Sequence, residues 1–307
     1  KQTAERYADP WHHKQPFWYF AQTIAFFWLP FSLAWYWLLR PWRQAFVNRD
    51  LKTVFPLVWG IIVLLFFSVS AGKRDMYILP ALPAFAIAAA PYLQSISERI
   101  EFRRLLYFFI LFLSAGLLVL GLMALFGKLA FIQKIMNERG LGSEIMWLWW
   151  MLIVCGGIGL GFGLWAGIKR VLLPVALTFS LLWICYGFIV HPVLDASSSA
   201  RAVMERARAQ AGPGIEIGLV AWKEQNLLQA VGPVVEFGFL QPEQMQLKNA
   251  IEWMNMKPNS RRLMINHLAE FSCIEFTTPD AIDLEKSNRR AWWLVNSKAV
   301  AACNPAN

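Results

Sequence analysis

Six stretches of this chain are long and apolar enough that lipid, not water, has to be their solvent. A bilayer core about 30 Å thick needs roughly 20 mainly apolar residues per helix. Phe17–Leu39, Val54–Ser70, Met76–Leu93, Leu105–Phe126, Ile145–Ile168 and Val171–Val190 meet or approach that length. Apolar residues make up 57% of the 307 and charged residues 16%, against roughly 45–50% and 25% in ordinary globular domains. The expected fold class is therefore an α-helical polytopic membrane protein with six transmembrane helices over residues 1–194, followed by a small C-terminal α/β soluble domain over residues 195–307. The chain opens at Lys1 with no initiator Met and no charged leader ahead of a cleavage site, so its start reads as a cut through a longer protein.

Charge gives the spans a direction. Residues 1–194 hold 17 Lys/Arg against 8 Asp/Glu, while residues 195–307 hold 12 of each. A nucleic-acid-binding domain would concentrate the basic excess on itself; here it lies among the spans, where it orients them. Arg40, Arg43, Arg49 and Lys52, then Arg99, Arg103 and Arg104, then Lys169 and Arg170 fall in alternate loops. That side is read as cytoplasmic. The stretch before Phe17, the turn Ala71–Asp75, the loop Gly127–Glu144 and everything after His191 face the opposite side.

The five-residue turn Ala71–Asp75 forces the second and third spans into a tight hairpin. Pro80, Pro83 and Pro91 in the third span each remove a backbone donor, which either bends a packing helix or shapes a cavity. Gly156, Gly157, Gly159, Gly161 and Gly163 in the fifth span allow close helix contact. The four cysteines are widely spaced and form no zinc pattern. Cys273 and Cys303 either form a bridge in an oxidising compartment or remain free thiols. Beyond His191-Pro192, polar helical stretches alternate with short apolar runs. The pattern predicts helices over Ser199–Ala211 and Glu243–Met254 and strands over Glu216–Trp222, Arg261–Asn266 and Ala291–Asn296.

Two polar clusters fall on the same extracytoplasmic side. Lys73 and Arg74 stand at the hairpin beside Asp75 and Tyr77, against the positive-inside trend. They either pair with a lipid phosphate or anchor the hairpin in the headgroup layer. Glu5, Arg6, Tyr7, Asp9, Trp11, His12, His13 and Lys14 precede the first span. Adjacent histidines point in different directions on a helix and make no metal site by themselves. One anionic headgroup could engage both clusters.

The run Ser68-Val69-Ser70-Ala71-Gly72-Lys73-Arg74-Asp75-Met76-Tyr77-Ile78-Leu79-Pro80-Ala81-Leu82-Pro83 resembles the Ser-x-x-Lys-x-x-x-Tyr-Ile-Leu-Pro-x-x-Pro hairpin of bacterial lipid-linked-sugar glycosyltransferases. That family includes aminoarabinose lipid A transferase and the protein O-mannosyltransferases. Glu5-Arg6-Tyr7, then His13 and Pro16-Phe17-Trp18-Tyr19, is similar to its Arg-aromatic and His-x-x-Pro-Phe-Trp-Tyr segment. Arg74-Asp75 departs from the Leu-Pro common in the aminoarabinose transferases. The resemblance implies a GT-C glycosyltransferase taking a sugar from an undecaprenyl (polyprenyl) phosphate carrier, at the outer face of the bacterial inner membrane, for lipid A, another envelope glycan or a protein.

By the same resemblance, Arg6, Lys73 and Tyr77 contact the carrier phosphate, with Asp9, His13, Arg74 and Asp75 in support. The catalytic carboxylates are expected upstream of Lys1, with any divalent metal held mainly there, so residues 1–307 alone are expected to be inactive. The carrier phosphate leaves already ionised, and cations placed where that charge develops would stabilise its departure. The competing class is a lipid or solute transporter or scramblase that merely binds anionic headgroups. Transporters carry charges near the bilayer midplane, and the centres of these six stretches hold none.

Overall fold

The computed structural model describes residues 15–70, 72–127, 134, 136, 141–267, 271–287 and 289–303. Four of its helices are long and apolar enough to cross a bilayer among the described residues: Leu51–Val69, Ile100–Leu125, Ser143–Ala166 and Leu172–Asp195. Between 17% and 28% of the residues in their apolar windows are buried inside the protein, so most of their Leu, Ile, Val and Phe side chains point outward. Such a surface is stable against lipid tails and not against water.

Six uninterrupted spans are not what forms. The stretch Phe17–Leu39 is broken into α1 (Tyr19–Phe27), a 3-10 turn (Phe31–Ala34) and α2 (Trp35–Val47). Pro30, which has no backbone donor, stands at the break. Helix α2 buries Leu38, Trp42 and Ala45 on one face and exposes Arg40, Arg43 and Gln44 on the other, the pattern of a helix lying along an interface. The third predicted span starts late: Asp75–Ile78 is a 3-10 turn, and α4 (Ala81–Ser97) has 17 residues. At 1.5 Å per residue that is about 26 Å, short of a bilayer core.

Helix α3 (Leu51–Val69) begins at Asp50, whose carboxylate accepts from the Lys52 backbone N–H at 3.2 Å and from Thr53 Oγ1 at 2.7 Å. The first bond satisfies a backbone donor that a helix start would leave open, and the second holds the capping carboxylate in place. Then come α5 (Ile100–Leu125), α6 (Met146–Ala166) and α7 (Leu172–Cys185); α7 passes through a π turn (Tyr186–Val190) into α8 (His191–Ser198). Two compact units emerge, one of residues up to Gly116 with Gly156–Phe179, the other of Leu117–Cys155 with the residues from Ser180.

In the first unit the core is aromatic. The Phe85 ring of α4 lies 5.8 Å from Trp28, 5.4 Å from Trp35 and 5.9 Å from Trp42, and Trp42 Nε1 donates to the Ala88 carbonyl at 3.0 Å. On its other side Phe85 meets Gly60 of α3, where an added Cβ would stand 2.8 Å from the ring. The two helices approach this closely because position 60 carries no side chain.

In the second unit, α9 (Arg201–Ala211), β1 (Glu216–Val220), α10 (Glu224–Leu228), β2 (Val234–Glu236), α11 (Glu243–Met256), β3 (Arg261–Asn266), β4 (Ala281–Ser287) and β5 (Arg290–Val295) follow in order. The sheet order is β2-β1-β3-β5-β4, with β1 parallel to β2 and β3, and β5 antiparallel to β3 and β4. One face is covered by Val203, Met204 and Ala207 of α9, the other by Leu247, Ala250, Ile251 and Met254 of α11. This two-sided burial is why β1 and β3 read as nearly continuous apolar runs. Both predicted helices and all three predicted strands form. β2, β4 and α10 are additional to that expectation. Cys273 and Cys303 form a disulfide, the alternative to two free thiols.

Candidate functional site

The hairpin after α3 is built by its own backbone. Ser70 leaves the helix in an extended conformation, Arg74 is extended as well, and the 3-10 turn that follows has Asp75 as its first residue. Fully buried Ile78 pins this turn to the core. Tyr77 is half-buried and rests on Phe67 of α3 with ring centroids 5.4 Å apart.

Lys73 points inward and is 3% exposed. Its ammonium donates to the carbonyl of Gln15, at 3.1 Å, and to that of Ser70. Two of its three N–H groups are thus held by neutral oxygens. Among the described residues no carboxylate lies within ion-pair distance of it. A buried ammonium with neutral partners alone remains an uncompensated charge in a medium of low dielectric.

Asp75 does not compensate it. The Asp75 carboxylate accepts from the Tyr19 hydroxyl and, at 3.2 Å, from Thr23 Oγ1. Its work is to tie the hairpin to α1. Both hydroxyls, 56 and 52 residues away in sequence, donate to the same carboxylate oxygen, Oδ1. Tyr19 and Thr23 are the residues sequence reasoning missed in this role. Their spacing of four put two hydroxyls on one face of an apolar helix, and that was the available signal. Arg74 is exposed at the same turn.

The structure thus brings together Lys73, Asp75 and Tyr77 with the entry to α1. Arg6, Asp9 and His13 lie outside the described residues. Between α3 and α4 runs an open, mainly apolar groove of about 740 Å³, lined by Leu51, Lys52, Phe55 and Trp59 of α3 and by Pro80, Pro83 and Ile87. Two of the three prolines of the third predicted span therefore line a cavity. Among the described residues no three His, Cys, Asp or Glu side chains come together as a metal site.

No family model matches the chain. It is 37% identical over 90 residues to undecaprenyl phosphate-α-4-amino-4-deoxy-L-arabinose arabinosyl transferase of Serratia proteamaculans, a match covering 29% of this chain and 16% of that protein. The enzyme of the same name from Yersinia enterocolitica is 33% identical over 94 residues, covering 30% and 17%. An uncharacterised protein of Aquifex aeolicus is 38% identical over 82 residues, covering 27% and 16%. The crystal structure of ArnT from Cupriavidus metallidurans bound to undecaprenyl phosphate superposes with a TM-score of 0.54 at 14% identity, over 95% of this chain and 54% of that one. Its apo form gives the same score, over 96% and 56%. The chain spans about half the length of those solved structures, and its matches cover about a sixth of the curated relatives. In sequence over 29–30% of its length, and in fold over nearly all of it, the chain resembles the GT-C glycosyltransferases typified by undecaprenyl-phosphate aminoarabinose transferase.

Proposed function

We propose that this chain is part of a membrane glycosyltransferase that takes a sugar from undecaprenyl phosphate, and that the hairpin between α3 and α4 holds the carrier phosphate. The observation that carries this reading is Lys73: an ammonium 3% exposed, fixed by two backbone carbonyls and lacking a counter-ion among the described residues. A phosphate oxygen at its remaining N–H would supply the missing charge through a strong ion-assisted hydrogen bond. Tyr77, half-buried beside it, offers a hydroxyl to the same anion, and Arg6 is assigned to it from the family pattern. The apolar groove along α3 and α4 suits the polyprenyl tail, because its lining is almost wholly hydrocarbon.

As the acceptor oxygen attacks the anomeric carbon, the sugar–phosphate bond breaks and the carrier departs as an anion. A fixed ammonium beside that oxygen stabilises the charge as it develops and needs no reorganisation. The general base that takes the acceptor proton is assigned to a carboxylate outside residues 1–307. The acceptor is lipid A, another envelope glycan or a protein.

We place residues 1–194 in the bacterial inner membrane and residues 195–307 in the periplasm. The Cys273–Cys303 bridge supports an oxidising side for the tail, as does the basic charge of the opposite loops. The test is binding of undecaprenyl phosphate to the detergent-solubilised chain and to its Lys73→Met variant, read by native mass spectrometry. Binding is expected to fall about 10- to 100-fold, the value of one hydrogen bond to a charged group. Undiminished binding would remove Lys73 from the phosphate site.

A further inference from the structure

Two cysteines stand outside the tail's bridge, Cys155 of α6 and Cys185 of α7. The fold brings them together from 30 positions apart: the Cys155 thiol donates to Cys185 Sγ at 3.8 Å. Both belong to the same compact unit.

Their meeting follows from the way the two helices pack. Gly167, at a φ of 61°, ends α6, and a single 3-10 turn (Ile168–Arg170) leads into α7, so the two helices run antiparallel as a helical hairpin. Gly159 of α6 lies against Thr178 of α7, where an added Cβ would stand 2.8 Å from Thr178 Oγ1. One turn along α6 from Gly159 is Cys155, and two turns along α7 from Thr178 is Cys185. The two sulfurs therefore occupy facing positions of a close helix contact.

The thiols differ in access. Cys155 is fully buried, whereas Cys185 is half-buried between Ile184 and Tyr186, both more than half exposed. On an apolar span those side chains face lipid, so Cys185 is approached from hydrocarbon with Cys155 behind it. Among the described residues no third Cys, His or carboxylate joins them as a metal site, and the chemistry at hand is that of two thiols. The next residue begins the π turn (Tyr186–Val190) that carries α7 into α8 and the tail. Such widened turns are rare and recur at functional positions. A bond at Cys185 would fix the helix immediately before this joint.

We propose that Cys155 and Cys185 form a peroxide-responsive pair that closes to a second, reversible disulfide and stiffens the joint between the last apolar helix and the tail. The oxidant is a hydroperoxide dissolved in the bilayer. Cys185 Sγ attacks the terminal peroxide oxygen, the O–O bond breaks, an alcohol leaves, and a sulfenic acid remains. Cys155 Sγ then attacks that sulfur; the S–S bond forms and the hydroxyl departs as water with the Cys155 proton. A dithiol reverses the step by exchange. The inference stands independently of the transferase reading.

The test treats the 307-residue chain in lipid nanodiscs with cumene hydroperoxide, followed by unfolding, alkylation with N-ethylmaleimide and peptide mass spectrometry. Oxidation of Met146, an exposed residue of the same helix α6, measures the dose. The expected result is loss of both thiols together, with a linked Cys155–Cys185 peptide pair that dithiothreitol removes. In Cys155→Ser the Cys185 thiol should pass instead to sulfenic and sulfinic acid, and in Cys185→Ser the Cys155 thiol should stay alkylatable. Hydrogen exchange of Tyr186–Val190 should slow when the pair is closed and recover with dithiothreitol. The proposal would be overturned by both thiols remaining alkylatable once Met146 is oxidised, by consumption of Cys185 without the linked pair, by a link found only in dimers, or by a closed pair that leaves exchange of the π turn unchanged.

Discussion

Two buried or nearly buried cations in this chain are solved in opposite ways. Arg261 of the tail pairs with Glu216 at 2.7 Å, donates to the Trp253 carbonyl and lies 4.3 Å over the Trp253 ring. Lys73 of the hairpin has two carbonyls and, among the described residues, no carboxylate. Arg261 is complete within the chain. Among the described residues Lys73 is not, and a bound anion is the partner proposed to complete it. The difference teaches where to look for function: a cation whose charge the fold neutralises is architecture, and one held in place with no carboxylate among the described residues is where the proposed anion is to be sought.

The comparison breaks or holds on matched substitutions. Arg261→Met is expected to destabilise the tail, because it removes the bond to the Trp253 carbonyl and the stacking over the Trp253 ring, while the partly exposed Glu216 carboxylate is left to water. Lys73→Met replaces an uncompensated charge with a side chain of similar length, a change that is often neutral or stabilising. Thermal unfolding of both variants in one detergent, alongside undecaprenyl phosphate binding, reads the contrast. Stability should fall only for Arg261→Met, and binding only for Lys73→Met. The opposite pattern would make Lys73 the structural residue.

Reducing the Cys273–Cys303 disulfide, or replacing both cysteines by Ser, removes a constraint on a loop of 30 residues. Such bridges contribute typically 2–4 kcal/mol. The effect is expected in the tail alone, seen as a lower unfolding midpoint under reducing conditions with undecaprenyl phosphate binding intact. A parallel loss of binding would mean that the hairpin and the tail are not independent.

Much of this architecture was legible because lipid exposure and two-sided burial both write themselves as long apolar runs; β3 runs from Arg261 to Asn266 as its pattern indicates. The break near Pro30 was hidden because its flanks stay apolar: Trp28, Trp35 and Trp42 meet around Phe85, a contact made across the fold. β4 escaped because its buried residues, Ala281, Leu284 and Ser287, recur every third position around the irregularity between Asp283 and Lys286. Period-two reading cannot see such a strand. At the hairpin, the sequence located Lys73, Asp75 and Tyr77, but their partners depend on tertiary contacts with Gln15, Tyr19 and Thr23.

Gly60→Ala probes the support beneath the hairpin instead of its charge. The new methyl would stand 2.8 Å from the Phe85 ring, and overpacking of that kind costs about 1–3 kcal/mol. A lower unfolding midpoint with weaker undecaprenyl phosphate binding is expected, since α3 and α4 carry both ends of the hairpin. Gly60→Ala/Phe85→Leu should recover part of both, by making room for the methyl.

The smallest effect concerns pH and sharpens what a completed cation means. Hydrogen bonding from Arg261, reinforced by its charge, holds the Glu216 carboxyl below the usual carboxylate range. A carboxyl lowered in the folded state binds fewer protons there than in the unfolded chain, so its contribution is fully present above the unfolded pKa of about 4.3. It is lost as pH falls through the lower folded value. The tail's unfolding midpoint should therefore drop more steeply below about pH 4 in the wild type than in Glu216→Gln, which has no proton to take up at that position. Because the pair is solvent-accessible, the difference should shrink in high salt. Coincident acid limbs for wild type and Glu216→Gln would show that Arg261 is held chiefly by the Trp253 carbonyl and ring, and would move the contrast between the two cations from charge to packing.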